Sequence, residues 1–233
     1  MIDIVIPTMM RCNLDPMRYS LHQAIQSKYV NRIVIIDNSG ESEFSKQLSF
    51  DTNKIVVRTM EDNIYVNPAW NIGVSLCQSD DVLIMNDDIF CHEDVYNQVS
   101  KVMKQFNVGI CSVDTKTCKS TLDYLKYIDD FDFPIKTNDK FGNIENNKSG
   151  WFFCIKKREW KNLPQDMKLW YGDDLIYSRI RNLGYLTKNI TSVKIGHIES
   201  ASLKTIGPKF NKIISNDKII YKKQKDDYIK DKK

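Results

Sequence analysis

Short apolar runs alternate with amphipathic stretches through the first two thirds of the chain. Ile2-Asp3-Ile4-Val5-Ile6 is rich in β-branched residues and meets Pro7, so it predicts a strand that stops there. Asp15-Pro16 supplies an N-cap and a first helical residue, and Met17, Leu21 and Ile25 follow at helical spacing. Arg32-Ile33-Val34-Ile35-Ile36 predicts a second strand, closed by the turn-forming Asp37-Asn38-Ser39-Gly40. Ile55-Val56-Val57 predicts a short third. Asn67-Pro68 opens another helix, which carries Trp70, Val74 and Cys77. Val82-Leu83-Ile84-Met85 is a fourth strand running into Asn86-Asp87-Asp88. Val95, Val99, Val102, Met103 and Phe106 form a helical stripe ahead of a fifth strand, Val108-Gly109-Ile110-Cys111.

Near-continuous apolar strands alternating with helices predict an α/β fold, a mainly parallel sheet with both faces covered. The regularity fades after about residue 114, and 114–148 is polar and unassigned. Beyond it come a strand at Trp151-Phe152-Phe153-Cys154-Ile155, a helix after Gly172-Asp173-Asp174 and a strand near 193–195. Ile213, Ile214, Ile219 and Ile220 mark a Lys-rich amphipathic helix near the end. With no internal repeat and no proline-rich linker, one domain over 1–203 followed by a Lys-rich, helical tail over 204–233 is expected.

Composition narrows the class. The 233 residues are 42% hydrophobic and 27% charged, which excludes disordered, collagen-like and disulfide-scaffold proteins. The net charge is +4, but residues 204–233 hold ten Lys and four Asp, so the body is slightly acidic. Such a body does not clamp nucleic acid. The tail lysines read as a solvated terminus or, alternatively, as a peripheral contact with an anionic membrane. Six cysteines stand apart with no CxxC pair, no leader-like segment opens the chain, and no apolar run approaches a membrane span. A reducing, cytoplasmic setting with free thiols is expected.

Open α/β sheets bind ligands beyond the carboxyl ends of their strands. Here those ends deliver Pro7-Thr8, Asp37-Asn38 and Asn86-Asp87-Asp88, and no GxGxxG follows the first strand. Two adjacent carboxylates and an amide are costly to crowd unless a cation neutralises them. Hard oxygen ligands suit Mn²⁺ or Mg²⁺. A solvated turn is the alternative.

These segments resemble family 2 glycosyltransferases with the GT-A fold. Ile4-Val5-Ile6-Pro7-Thr8 looks like their opening strand, and Asp37-Asn38-Ser39 is similar to the loop that holds nucleobase and ribose. Asn63, followed after seven residues by Asn71-Ile72-Gly73, resembles the asparagine-glycine helix motif. Leu83-Ile84-Met85-Asn86-Asp87-Asp88 resembles the DxD motif in an Asn-x-Asp form. Gly150-Trp151-Phe152-Phe153-Cys154-Ile155 resembles the acceptor-side strand. Tyr171-Gly172-Asp173-Asp174 through Arg179 and Gly184-Tyr185 resembles the Glu-Asp helix, and His197-Ile198-Glu199-Ser200 a late loop that returns to the metal. The likeness runs from residue 2 to about 203.

The resemblance implies a GT-A-like domain with a nucleotide-sugar-binding half over about 1–113 and an acceptor half over 114–203. It implies an inverting, Mn²⁺- or Mg²⁺-dependent transferase acting between a nucleotide-sugar donor and a glycan, lipid-linked or other hydroxyl acceptor. Asp88 and His197 would ligate the metal, which offsets charge on the leaving diphosphate. Pro7, Thr8, Arg11, Asp37, Asn38, Asn63, Asn71, Asn86 and Asp87 would line the donor site. Asp173 would be the general base, with Asp174 the alternative. Trp151 would stack on an acceptor sugar, or pack in the core.

Three positions depart from the family pattern: Gly172 replaces a usual Glu, Leu175 a common Asp, and Tyr65 a usual Gly. A nucleotidyltransferase, a retaining glycosyltransferase and a non-catalytic nucleotide-sugar or glycan-binding module are the rival readings. Neither the sugar, the acceptor nor the oligomeric state is legible.

Overall fold

The structure is a computed structural model that describes residues 1–9, 14–40, 50, 52–131, 134–139, 150–198 and 209–230. Its centre is an eight-stranded sheet. In chain order its strands are β1 (Ile2–Thr8), β2 (Val30–Asp37), β3 (Ile55–Thr59), β4 (Asp81–Met85), β6 (Val108–Val113), β8 (Lys136–Asp139), β9 (Phe152–Lys156) and β10 (Leu186–Thr191). They lie in the order β3-β2-β1-β4-β9-β6-β10-β8. β9 runs antiparallel between β4 and β6, and β8 antiparallel at the edge, so the other six share one direction. A smaller sheet joins β5 (Ile89–Cys91), β7 (Lys116–Thr117) and β11 (Ile195–His197), with β11 in the middle.

Helices cover both faces, as strands with near-continuous apolar runs require. α1 (Asp15–Gln26) and α3 (Glu93–Met103) bury Met17, Leu21, Val95 and Val99 with Ile4, Ile6 and Leu83 on one face. On the other, α2 (Val66–Leu76), α5 (Gly172–Asn182) and α6 (Lys209–Lys230) pack Trp70, Val74, Leu175, Ile180 and Tyr221 around Val5, Ile84 and Phe153. Contact at β1 is so close that a Cβ on Gly73 would stand 2.3 Å from Val5 Cγ1, so α2 needs a glycine there. α4 (Thr121–Asp129) covers a satellite cluster of Phe90, Cys118 and Tyr124, with Phe90 and Tyr124 stacked at 4.8 Å.

Several sequence expectations shift. β1 does not stop at Pro7: the β4 ladder ends at Val5, so Pro7 and Thr8 pair with β2 alone, where a missing N–H is tolerated. Asp15 is the first helical residue, with Leu14 at the N-cap. Phe106 leaves the core stripe and is 96% exposed, because α3 ends at Met103 and Asn107 turns the chain at φ 59°. The late strand predicted near 193–195 is two strands, β10 and β11, either side of Ser192 at φ 58°. The region left unassigned holds β7, α4 and β8. The Lys-rich helix is not a solvated tail along its whole surface, since Phe210 and Asp217 are buried. Among the described residues no helix is long and apolar enough to cross a membrane.

Candidate active site

β1, β2 and β3 step outward in one direction while β4 lies on the other side of β1, which makes the β1/β4 boundary a switch point. A crevice forms beyond the carboxyl ends of the strands at such a point. Thr8 and Asp87 meet across it, with Thr8 Oγ1 donating to Asp87 Oδ2 at 2.6 Å. Burial of the Asp87 carboxyl, with the neighbouring Asp88 charge, pushes its pKa up to about 6 against the lowering effect of the Thr8 hydrogen bond. Asp87 thus turns toward β1, and Asp88 is left to face elsewhere.

Asp37 and Asn38 close β2. Asn38 N–H donates to Thr8 O at 2.8 Å and Met60 N–H to Asp37 O at 2.8 Å, which fixes this tip between β1 and the segment after β3. Asp37 Oδ1 accepts from Ser39 N–H at 2.9 Å. Asp37 Oδ2 and Asn38 Oδ1 are buried and find no hydrogen-bond partner among the described residues. Buried polar atoms are nearly always satisfied, so two orphaned acceptors at a strand tip call for a ligand that brings donors.

Asp88 has the same deficit. Its Oδ1 is buried and finds no hydrogen-bond partner among the described residues, and its Oδ2 stands 3.4 Å from His197 Nε2. The pairing has a local cause: β11 runs antiparallel to β5 with His197 opposite Ile89, and Ile198 N–H donates to Asp88 O at 3.1 Å. His197 is held from the other side by Trp151, whose ring stacks on it at 5.0 Å and 13°. Asn86 N–H donates to Trp151 O at 2.9 Å, which ties this corner to the end of β4. One face of Trp151 is therefore occupied by His197. The described residues hold no cluster of three or more His, Cys, Asp and Glu suited to a metal. A carboxylate with an unsatisfied oxygen beside an imidazole nitrogen nonetheless fits Mn²⁺ or Mg²⁺, which take one or two protein ligands and complete their shell with phosphate oxygens and water.

Asp173 and Asp174 form the first turn of α5. A Cβ on Gly150 would lie 2.5 Å from Asp173 Oδ2, so the carboxyl rests against the backbone just before Trp151. Gly150 and Trp151 thus bridge Asp173 to the His197–Asp88 pair. One turn further on, burial raises the Tyr177 hydroxyl pKa, and the Asp173 charge adds to it against a lowering by Ser112.

Not every predicted residue joins the cleft. Asn71 commits both ends of its amide to Leu163, donating to Leu163 O at 2.8 Å and accepting from Leu163 N–H at 2.9 Å. Asn63 is exposed and accepts from Tyr65 N–H at 2.8 Å, in a turn where Tyr65 has φ 69°. Pro7 is buried within β1. Arg11 lies outside the described residues, as does Glu199. Two residues that sequence reasoning passed over carry more. Asn67, read only as a helix opener, is buried, donates to Trp170 O at 3.2 Å and receives Gly172 against its Oδ1. Asp217, counted only as one of four acids in the Lys-rich end, is fully buried and accepts three backbone N–H groups.

Comparison with known proteins agrees with the fold. The Glycosyl transferase family 2 profile matches residues 3–163. Among solved structures, residues 1–349 of S. aureus TarS superpose with a TM-score of 0.62 at 11% identity, over 84% of this chain. The chain spans 60% of that protein's chain, so the likeness is one of fold. No curated protein matches the sequence significantly.

Proposed function

The chain belongs to glycosyl transferase family 2, and from that premise we propose that it moves a sugar from a nucleotide-diphosphate sugar to a hydroxyl of a glycan, lipid-linked or other acceptor, with inversion. The observation that carries the reading is a trio of buried acceptors, Asp37 Oδ2, Asn38 Oδ1 and Asp88 Oδ1, that find no donor among the described residues and sit at strand tips flanking the switch point.

Asp37 and Asn38 bind the nucleoside by accepting from its hydroxyl and N–H groups, which relieves two unsatisfied atoms at once. Thr8, Asp87 and Asn86 form the floor beside them. Asp88 and His197 are the residues that would hold Mn²⁺ or Mg²⁺, which when bound supplies positive charge to offset the charge developing on the leaving diphosphate. Asp173 takes the proton of the acceptor hydroxyl on a carboxylate oxygen as that hydroxyl attacks, and Asp174 is the alternative base. A carboxylate is a weak base for an alcohol, so its help comes as the proton departs in the transition state. A single in-line displacement inverts the anomeric centre. Trp151, half-buried against the core, orients His197 with one ring face and meets an acceptor sugar with the part it leaves exposed.

Among the described residues, five buried free thiols support a reducing, cytoplasmic setting. Exposed Lys212, Lys218, Lys222 and Lys223 on α6 support peripheral contact with an anionic membrane.

The test is a thermal-shift panel of UDP-, GDP-, dTDP- and CMP-sugars with and without Mn²⁺. A nucleotide bound at a hundred times its Kd adds roughly 2.7 kcal/mol of stability. If none of them gives a Mn²⁺-dependent rise in Tm, the reading fails.

A further inference from the structure

The segment leading into α5 is held with unusual completeness. Asp217, on the inner face of α6, is fully buried. Its Oδ1 accepts from Lys168 N–H at 2.8 Å, and its Oδ2 from Leu169 N–H at 2.8 Å and Trp170 N–H at 2.9 Å. From the opposite side α2 takes the carbonyls: Asn67 N–H donates to Lys168 O at 3.0 Å and Asn67 Nδ2 to Trp170 O at 3.2 Å. The next residue, Tyr171, is a non-glycine in the left-handed region at φ 63° and forms the N-cap of α5. Its ring stacks on Tyr221 at 5.3 Å and 17°. Asp217 and Tyr221 are one helical turn apart, so a single face of α6 grips both the backbone and the strained residue.

A left-handed non-glycine is strained and persists only where its surroundings over-determine it. Here the strain sits two residues before Asp173. Relaxation of Tyr171 to an ordinary φ would swing the first turn of α5, and with it both candidate bases, away from Gly150. Three charge-assisted hydrogen bonds to one carboxylate oppose that relaxation.

We propose that the Lys-rich C-terminal helix is a clamp on the acceptor side of the site, with Asp217 and Tyr221 as positioning residues that set the Asp173/Asp174 turn. The proposal rests on the reading of that turn as the source of the base. Because the grip runs through backbone amides, the clamp acts on the geometry of the base and leaves the donor cleft at β1, β2 and β4 untouched. Its signature is therefore a loss of turnover without a loss of nucleotide binding.

The experiment uses the full chain at 20 °C with Mn²⁺ and the four nucleotide-sugars, and measures nucleotide release with water as acceptor alongside the Kd for each nucleotide. Asp217→Asn, which keeps shape and one acceptor oxygen, is the main variant, with Asp217→Ala, Tyr221→Ala and Tyr221→Phe beside it. A misplacement of about 1 Å at a reacting group lowers the rate about 100-fold. Asp217→Ala and Tyr221→Ala are accordingly expected to lose about 10- to 100-fold in kcat. Asp217→Asn should lose less, and Tyr221→Phe should keep turnover within about twofold because the ring stack remains. Nucleotide Kd should stay within about twofold throughout, and the amides of residues 168–170 should exchange faster in Asp217→Asn.

If Asp217→Ala does not fold, Asp217→Asn and Tyr221→Ala decide. Unchanged kcat in these variants, while Asp173→Asn or Asp174→Asn abolishes release, overturns the clamp and leaves the base reading standing. Equal losses in kcat and nucleotide affinity also overturn it, since they mark general destabilisation. Release that survives both Asp173→Asn and Asp174→Asn overturns the base reading, and the clamp as a positioning device falls with it.

Discussion

Before Val113, the candidate binding residues that reach the cleft, Thr8, Asp37, Asn38 and Asp87, sit at or just beyond the tips of strands that pair with a neighbour over four or more positions. Thr8, Asp37 and Asp87 are carried to one mouth by β1, β2 and β4, whose registers leave no freedom. After Val113 the site is assembled by side chains reaching over long distances in sequence. Asn67 from α2 and Asp217 from α6 position a turn that no ladder fixes in place, and Trp151 from the lead-in to β9 packs on a histidine held only by the short pairings of β11. The first half is rigid because its backbone is hydrogen-bonded into a central sheet. The second depends on a few buried polar anchors, each of which can be lost singly. Binding should therefore map to the first half and turnover to the second.

The largest expected effect tests the first half. Asp88→Ala should abolish the Mn²⁺-dependent part of nucleotide stabilisation and lower transfer by about 1,000-fold or more, since a bound metal supplies several kcal/mol of charge stabilisation. Retention of both Mn²⁺-dependent binding and transfer would remove Asp88 from the cleft chemistry. Next comes Asp173→Asn, which is nearly isosteric against Gly150. Transfer should fall by about 100- to 10,000-fold, the usual range for a general base, while the nucleotide-induced rise in Tm is kept. Loss of nucleotide binding in this variant would break the division between the halves.

The same division governs what the sequence made legible. Strand tips were readable because apolar runs mark the strands, and the residues after them must lie at the sheet's carboxyl edge. Asp37, Asp87 and Asp88 were found that way. β10 was not, because Leu186-Thr187-Lys188-Asn189-Ile190-Thr191 is half polar; its burial works only because Asn189 accepts from Ser112 and donates to Asp114. Asp217 was hidden by its neighbours, since a carboxylate among lysines looks solvated until the amides it meets, some 50 residues away, are known. α4 was recoverable: Ser120 accepts from Asp123 N–H and Asp123 from Lys119 N–H, a near relative of the capping box visible as Ser120-x-x-Asp123, with the return bond shifted to the residue before the N-cap. The link from His197 to Asp88 came from family order alone, because the β5/β11 pairing that makes it has only three residues a side.

A smaller effect follows at Gly73. The Val5 side chain that a new Cβ would meet is fully buried against the sheet and cannot withdraw. Gly73→Ala should cost about 1–3 kcal/mol despite better helix propensity, or roughly 3–10 °C in Tm. Gly172→Ala also meets a close atom, 2.2 Å away, but that atom is Asn67 Oδ1, the end of a rotatable side chain. It should lower Tm less and turnover more. Reversal of that order, measured by calorimetry and nucleotide release together, would mean that the second half is as rigid as the first.

The smallest effect on the site lies at the foot of β1, opposite the cleft. Asp3 is fully buried and accepts from Asn31 Nδ2 at 2.9 Å, Ser79 N–H at 2.9 Å, Ser79 Oγ at 2.7 Å and Gln78 N–H. Burial alone would push its carboxyl up, but these bonds outweigh it and hold the pKa below the ordinary 3.8. A depressed folded-state pKa means that the carboxylate contributes stability above the unfolded value, and that this is lost as pH falls through the folded one. Asp3→Asn exchanges acceptor-only oxygens for an amide that faces a donor without need of one. It should cost roughly 2 kcal/mol near neutral pH. The gap in Tm between the two proteins should stay constant above about pH 5 and narrow below about pH 4, as the wild-type carboxyl takes up its proton. Nucleotide affinity should be unchanged, because the ladder from Ile4 to Thr8 separates this anchor from the cleft. A gap that is flat down to pH 3 would show that the network, and not the charge, holds the foot of the strand.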